Sequence, residues 1–351
     1  MKIAVGISGG VDSAVAALLL KEQGHEVVGV TMTLGRADEA KSLDEAKAVA
    51  ERLGIPLKVF DFSHEWNSCV LDYIRMTYLG GATPNPCVRC NETVKFGLLP
   101  RAAFEMGCER FATGHYARVD FSRRDAEAQR INNTSAALCL RVRKPRLLRA
   151  VDKTKDQSYF LYRVKPEILE RTIFPLGELT KAEVREKARQ FGLEVADKGD
   201  SQDFCWGDPM KIVGAAPREG NIVTTGGKVL GKHPGFWNYT IGKRKGLGIG
   251  GGTPYYVVGL NAARNEVIVG FKEESVVREF RVERIVSFTS GETPLPLCVK
   301  VRSAGEPKGP VIWNGETVEC SDGISGIAPG QSAVFYRGDE IVGGGIIAAL
   351  V

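Results

Sequence analysis

Along the first two hundred residues, short apolar runs with the spacing of strands alternate with stretches whose apolar positions recur every three or four residues. Ile3-Ala4-Val5-Gly6-Ile7 is a continuous apolar run, and AVAALLLKEQG behind it reads as a helix that ends before Gly24. VVGVTM (27–32) predicts a strand, DEAKSLDEAKAVAERLG (38–54) an amphipathic helix closed by Gly54, and LKVFDF (57–62) another strand. Helices follow over His64 to Leu79 and Thr93 to Met106, then a strand over Arg110 to Thr113 and a helix over Thr180 to Phe191 with Gly192 beyond it. Such βαβ alternation requires a parallel sheet covered on both faces, and sheets of this kind take ligands beyond the carboxyl ends of their strands.

Beyond Cys205 the texture changes. Residues 206 to about 270 are glycine-rich with short apolar runs, including GKRKGLGIGGGTPYY. From about residue 275, EFRVERIVSF, LCVKVR, VIWNGETVEC and QSAVFY alternate with turn signals such as Asn314-Gly315 and Asp322-Gly323. The expected architecture is α/β: a doubly wound parallel sheet over residues 1–205, a small mixed central domain over 206–272 and a C-terminal β-barrel over 273–351. Residues 120–136 read as a surface excursion without a core of its own.

The chain has 351 residues, 43% of them hydrophobic and 25% charged, which excludes a disordered protein and leaves room for two or three cores. No apolar run approaches the ~20 residues of a membrane span, and the first strand starts where a leader would stand, so a cytoplasmic protein is expected. Eight cysteines are too few for a secreted disulfide scaffold. The net charge of +5 is small, but Arg141 to Lys155 carries seven Lys/Arg against one acid, and Lys243-Arg244-Lys245 forms a second block. Either block can grip a phosphate backbone or lie as solvated surface.

The most chemical stretch is Ser8-Gly9-Gly10-Val11-Asp12-Ser13, set between the first strand and the first helix. Glycines permit close backbone approach, free N–H groups at a helix start attract an anion, and Ser8 and Ser13 can add hydroxyl donors. It is not a GxxxxGK[ST] loop, because no lysine follows the second glycine. SGGVDS resembles the signature of the PP-loop ATP pyrophosphatases, which implies attack on the α-phosphate of ATP with release of pyrophosphate.

A second motif is Thr83-Pro84-Asn85-Pro86-Cys87-Val88-Arg89-Cys90-Asn91. Its two prolines predict an extended backbone until helix signals resume after Asn91. A thiol near a helix start, beside Arg89 and Lys95, is expected to be a good nucleophile. Cys205 lies among acids in DSQDFC, and Cys69, Cys108, Cys139, Cys298 and Cys320 sit in apolar patterns as small core side chains.

These motifs, together with Ala112 to Arg118 (ATGHYAR), Lys155 to Leu161 (KDQSYFL), Gly242 to Gly248 and Pro329-Gly330-Gln331, occur in the order found in the tRNA-specific 2-thiouridylases of the MnmA type. The resemblance spans nearly the whole chain. It implies Cys90 as nucleophile and Cys205 as the persulfide-bearing cysteine. It implies ATP contacts at Gly6, Ile7, Ser8, Gly9, Gly10, Val11, Asp12, Ser13, Met32 and Gly114, and target-base contacts at Asn85, Pro86 and Cys87. His115, Lys155, Asp156, Gln157, Arg302, Ser303 and Gln331 match tRNA-contact positions.

The implied reaction joins AMP to the C2 oxygen of the wobble uridine, making a leaving group that sulfur then displaces to give 2-thiouridine. Mg²⁺ would accompany the nucleotide, with Asp12 as one candidate to hold it, and the base must be splayed out of the anticodon loop. Sulfur can travel as a Cys205 persulfide released by Cys90, leaving a Cys90–Cys205 disulfide for an external reductant. The better-known members have Asp where Cys87 stands. Cys87, Cys90 and Cys205 could therefore hold a [4Fe-4S] cluster with one iron open. A cysteine desulfurase or relay protein is the implied sulfur donor. The other readings are a different PP-loop adenylating ligase, for which the cysteines have no task, and a non-catalytic RNA-binding protein with a vestigial nucleotide site.

Overall fold

The computed structural model describes residues 1–36, 39–121, 145–193, 209–250, 252–288 and 296–348. Residues 120–136, read as a surface excursion, lie outside the described residues from 122 onward, as does Cys139. The chain divides into two compact units, Met1–Phe62 with Val94–Asp200 and Asp339–Ile341, and Ser63–Thr93 with Ser201–Gly338 and Val342–Val351.

The first unit is built on β1 (Lys2–Gly6), β2 (Glu26–Thr33), β3 (Leu57–Asp61) and β4 (Arg110–Ala112). An antiparallel pair, β5 (Ala117–Asp120) and β6 (Arg146–Arg149), precedes β7 (Thr172–Ile173). The five sheet strands are parallel in the order β3-β2-β1-β4-β7. Ala4 is fully buried on one face of β1, and Ile3 and Val5 on the other, as a strand covered on both faces requires. Ile3 and Val5 pack with Val11, Val15, Leu18 and Leu20 of the helix Val11–Glu22 and with Val49 and Leu53 of the helix Glu39–Leu53. Each such aliphatic side chain contributes roughly 1.5–3 kcal/mol on leaving water.

In the second unit a four-stranded mixed sheet has the order β10-β11-β8-β9, from β8 (Gly220–Thr224), β9 (Val229–His233), β10 (Tyr256–Asn261) and β11 (Glu266–Gly270). Its core gathers Ile222, Phe236, Trp237, Val257, Val267 and Val269. The last six strands are β12 (Val276–Ser287), β13 (Leu297–Lys300), β14 (Lys308–Asn314), β15 (Thr317–Ser325), β16 (Ser332–Arg337) and β17 (Glu340–Ile347). They run in the order β12-β15-β14-β13-β16-β17, and pairing of β12 with β17 closes the barrel. Phe280, Val299, Val318 and Phe335 fill it.

Three local expectations are corrected. The segment after Pro84 is not extended up to Asn91, because a helix starts at Pro86 and runs to Cys90. Proline suits the first helical position, where its missing N–H is not needed, and Asn85 caps the turn through its side chain. The stretch His64 to Leu79 is not one α-helix but Ser63–Trp66 and Asp72–Leu79 with a π-helical Asn67–Leu71 between them. Asn314-Gly315 does form the β14–β15 turn, but Asp322-Gly323 lies inside β15. Gly323 has φ +69° and the β12 pairing shifts register there, so the dipeptide makes a bulge, not a hairpin. Among the described residues no helix is long and apolar enough to cross a membrane.

Gly9 has φ +77°, and a Cβ there would lie 2.6 Å from the Cβ of Glu45. Gly9→Ala is expected to lower stability by about 1–3 kcal/mol. A urea midpoint equal to that of the parent chain would show that the loop does not need the left-handed conformation.

Candidate active site

The first unit carries an anion cradle at the carboxyl end of β1. Gly10 is the N-cap of the helix Val11–Glu22 and no side chain caps its first turn, so those N–H groups are left for a ligand. Ile7 is buried and donates its N–H to the Val30 carbonyl at 2.8 Å. The Ser13 hydroxyl donates to the Gly10 carbonyl at 3.0 Å and accepts the Ser8 N–H at 3.1 Å. In this arrangement the hydroxyl shapes the loop. Ser8 stays exposed with its hydroxyl 3.2 Å from that of Ser13.

Met32 is half-buried near the end of β2, beside β1. Gly114 follows β4, and a Cβ there would come within 2.7 Å of the Asp12 and Ser13 backbone. A side chain at 114 would push this loop off the first turn of the helix.

Asp12 is held by groups that its neighbours in sequence do not announce. Lys181 Nζ lies 2.7 and 2.8 Å from its two carboxylate oxygens, and the Tyr116 hydroxyl donates to Oδ1 at 2.9 Å. The Lys181 side chain is only 9% exposed. Its charge offsets that of Asp12, so an incoming anion meets the helix dipole without a bare carboxylate beside it. The carboxylate's engagement with Lys181 and Tyr116 also weakens the expectation that it holds Mg²⁺. Among the described residues no cluster of three His, Cys, Asp or Glu side chains could bind a metal. The cradle itself fits the phosphates of ATP.

His115 lies next to this turn. Its Nδ1 is 2.9 Å from the Thr113 hydroxyl, and its ring faces Phe96 at 5.4 Å and Phe174 at 6.5 Å. Desolvation, aided by the nearby Lys95 charge, pushes its pKa down to about 3. The imidazole is thus neutral at physiological pH, with a hydrogen-bonding edge and a ring face but no charge.

Other positions matched to tRNA contacts sit inside the first unit. The Asp156 side chain is 1% exposed, pairs with Arg149 at 3.3 Å, and accepts the N–H groups of Ala150 and Ser158. Gln157 exchanges hydrogen bonds with the Tyr116 backbone, at 2.9 and 2.8 Å. Lys155 is half-buried. The basic block from Arg141 to Lys155, read either as a phosphate grip or as solvated surface, is largely ion-paired where it is described. Arg146 meets Glu340 at 2.8 Å and Lys153 meets Asp339 at 2.6 Å. Lys243, Arg244 and Lys245 of the second unit are exposed.

The second unit carries the thiols. Asn85 Oδ1 accepts the Val88 N–H at 3.3 Å, and the Asn85 N–H donates to the Tyr73 hydroxyl at 3.0 Å. Cys87, in the first turn, is half-buried, and Cys90, one turn on, is buried. Neither is in a disulfide. Arg89 turns away to Glu92 at 3.1 Å and to the Cys69 carbonyl at 3.1 Å. A π-helical stretch, Asn91–Leu98, follows at once, a feature that often marks functional sites. Gln331 precedes β16 and donates from Nε2 to the carbonyls of Pro84 at 2.6 Å and Thr83 at 3.3 Å. Arg302 is exposed and Ser303 half-buried just after β13. Cys205 lies outside the described residues. Two of the three thiols proposed for a cluster are thus a helical turn apart, and the third is not described. Cys108 and Cys320 are buried, and desolvation pushes the Cys320 thiol up to about 11, as expected of core cysteines.

Family models match nearly the whole length of the chain in three parts. They are described as a tRNA methyl transferase HUP domain (residues 1–208), a tRNA methyl transferase PRC-barrel domain (211–271) and an aminomethyltransferase beta-barrel domain (277–347). The tRNA-specific 2-thiouridylase MnmA of Trichormus variabilis is 41% identical over 362 residues, covering 99% of this chain and 98% of that protein. Those of Endomicrobium trichonymphae and Synechocystis are also 41% identical over 99% of this chain, and 99% and 96% of theirs. The chain belongs to the tRNA-specific 2-thiouridylase family.

Within that family assignment, Lys181 and Tyr73 lie outside every motif read from the sequence, and Tyr116 lies inside ATGHYAR with no role assigned to it. Lys181 had one local signal: it follows Thr180, whose hydroxyl and the Glu183 carboxylate form a capping box, so the lysine's place in the first helical turn was readable. Its partner was not.

Lys181→Met should cost about 1–3 kcal/mol, less than the 3–5 of a fully buried pair because Asp12 is partly exposed. Adding Asp12→Asn should recover part of the loss in a thermal melt, and strict additivity would deny the pair. His115 binds a proton in the unfolded chain near its ordinary value of 6.5 but in the folded chain only near 3. Stability should therefore fall as pH drops from about 6.5 toward 3, by up to about 1.4 kcal/mol per pH unit from this group. His115→Gln should flatten that slope in Tm against pH.

Proposed function

We propose that the chain is an ATP-dependent sulfurtransferase that converts the wobble uridine of tRNA to 2-thiouridine in the cytoplasm. The observation that carries this reading is a capped helix bearing Cys87 and Cys90 in a chain that also has a glycine-edged anion cradle with no lysine in the loop itself. Its relatives, alike over their full length, are named for this reaction.

Residues 1–205 would house the chemistry. The uracil C2 oxygen attacks the α-phosphorus of ATP, bound as its Mg²⁺ complex, and pyrophosphate departs from the first turn of the helix Val11–Glu22. Fixed N–H groups there meet the charge that develops in transfer. In the persulfide version, the Cys90 thiolate attacks the inner sulfur of a Cys205 persulfide. A Cys90–Cys205 disulfide forms and hydrosulfide leaves, then attacks C2 and expels AMP. An external dithiol restores the two thiols. Cys87, Cys90 and Cys205 are also the residues that would hold a [4Fe-4S] cluster, which would supply sulfide delivery at the same place. A desulfurase or relay protein would load the sulfur in either case. Methyl transfer, the wording of two domain descriptions, would leave the cysteine helix without a task.

With ATP, Mg²⁺ and unmodified tRNA the chain should release pyrophosphate only when tRNA is present. Equal release without tRNA would refute the assignment. Cys90→Ser and Cys205→Ser should each abolish thiolation and leave tRNA binding intact; a loss of binding alone would make them structural. Iron and sulfide analysis after anaerobic purification separates the two sulfur routes, since an iron-free but active protein eliminates the cluster.

A further inference from the structure

We infer that Gln331, at the entrance to barrel strand β16, is a positioning residue for the cysteine nucleophile. This rests on the reading of Cys90 as that nucleophile. Both atoms facing the Gln331 amide nitrogen are carbonyl oxygens, of Pro84 at 2.6 Å and Thr83 at 3.3 Å, which can only accept. The amide orientation is therefore determined, and both its N–H donors are committed to the loop that leads into the cysteine helix.

The segment around Gln331 is stiff. Its own carbonyl accepts the Ile347 N–H at 2.7 Å and its N–H reaches the Ala328 carbonyl at 3.1 Å. The Gly330 N–H donates to the Ile347 carbonyl at 2.8 Å, so barrel strand β17 holds the segment from both sides of the turn. Gly330 has φ +88°, and a Cβ on it would come 2.7 Å from the Thr83 carbonyl oxygen. Only glycine permits the barrel to approach the loop this closely. The Pro329 carbonyl accepts the Thr83 N–H at 2.7 Å, and the Ser332 hydroxyl lies 3.4 Å from the Asn85 side-chain nitrogen.

Four consecutive barrel residues thus grip three consecutive loop residues. The last of these, Asn85, caps the turn that bears Cys87 and leads to Cys90. The capping geometry is then set by the barrel as much as by the loop, and a load on the barrel reaches the thiols through two carbonyls and one amide. Direct contact with tRNA, the role matched to Gln331 by resemblance, uses at most its remaining oxygen.

The test uses the full chain with Gln331→Met, which keeps length and removes both donors, and with Gln331→Glu, which sets a carboxylate against the two carbonyls. Alkylation of Cys90 by iodoacetamide, without tRNA or ATP, is followed by peptide mass spectrometry, with the half-buried barrel residue Cys298 as reference. Loss of the clamp should speed Cys90 labelling about fivefold or more while Cys298 stays constant. In thiolation assays kcat should fall while the KM for tRNA stays within about twofold. Unchanged Cys90 labelling in both variants, with or without a raised KM, would overturn the positioning role, as would an equal rise at Cys298. Because labelling needs no turnover, a chain that fails to thiolate tRNA would sink the proposed function and still report on the clamp.

Discussion

One side-chain amide decides where the thiol-bearing helix begins. Asn85 stands between two prolines that restrict the backbone on either side, and its oxygen takes the place of the carbonyl that the first turn lacks. With that cap in place, Pro86 becomes a helix starter and Cys87 and Cys90 fall one turn apart on a rigid element. Without it, the same prolines would favour an extended loop whose sulfurs had no defined spacing.

The anion cradle uses the opposite arrangement. The helix Val11–Glu22 begins with glycine and no side-chain cap, so its first N–H groups remain available, and the Ser13 hydroxyl inside the helix donates back to the Gly10 carbonyl. A carboxylate in that first turn would repel an anion. Lys181, buried against Asp12 and flanked by Tyr116, removes the problem and holds the turn to the helix Lys181–Gln190. One helix start is closed by a side-chain cap and sets two thiols a turn apart, and the other has no side-chain cap and leaves its N–H groups to an anion.

Much of this was readable from neighbouring residues. The parallel strands, the helix ends at Gly24, Gly54 and Gly192, and the Asn314-Gly315 hairpin all follow from local periodicity and turn chemistry. Two of the misreadings have a common cause. Proline in TPNPCVRC and glycine in Asp322-Gly323 each permit two local structures, a helix start or a loop in one case and a bulge or a hairpin in the other. The choice lay with the Asn85 cap and with cross-strand register, neither of which a propensity contains. Charge was ambiguous likewise: Arg146, Arg149 and Lys153 look like a phosphate-binding stripe until their carboxylate partners are seen.

The sequence by itself determined most of the elements, the glycine turn and each motif that marks the family, because each of these depends on residues within a few positions of one another. Only the tertiary structure decided what Asp12 and the cysteine loop are attached to. Lys181 is 169 residues from Asp12, and Gln331 is 247 from Pro84. Contacts at such separations arise when packed cores bring elements together, and hydrogen-bond donors leave no periodic signal of the acceptors they will meet.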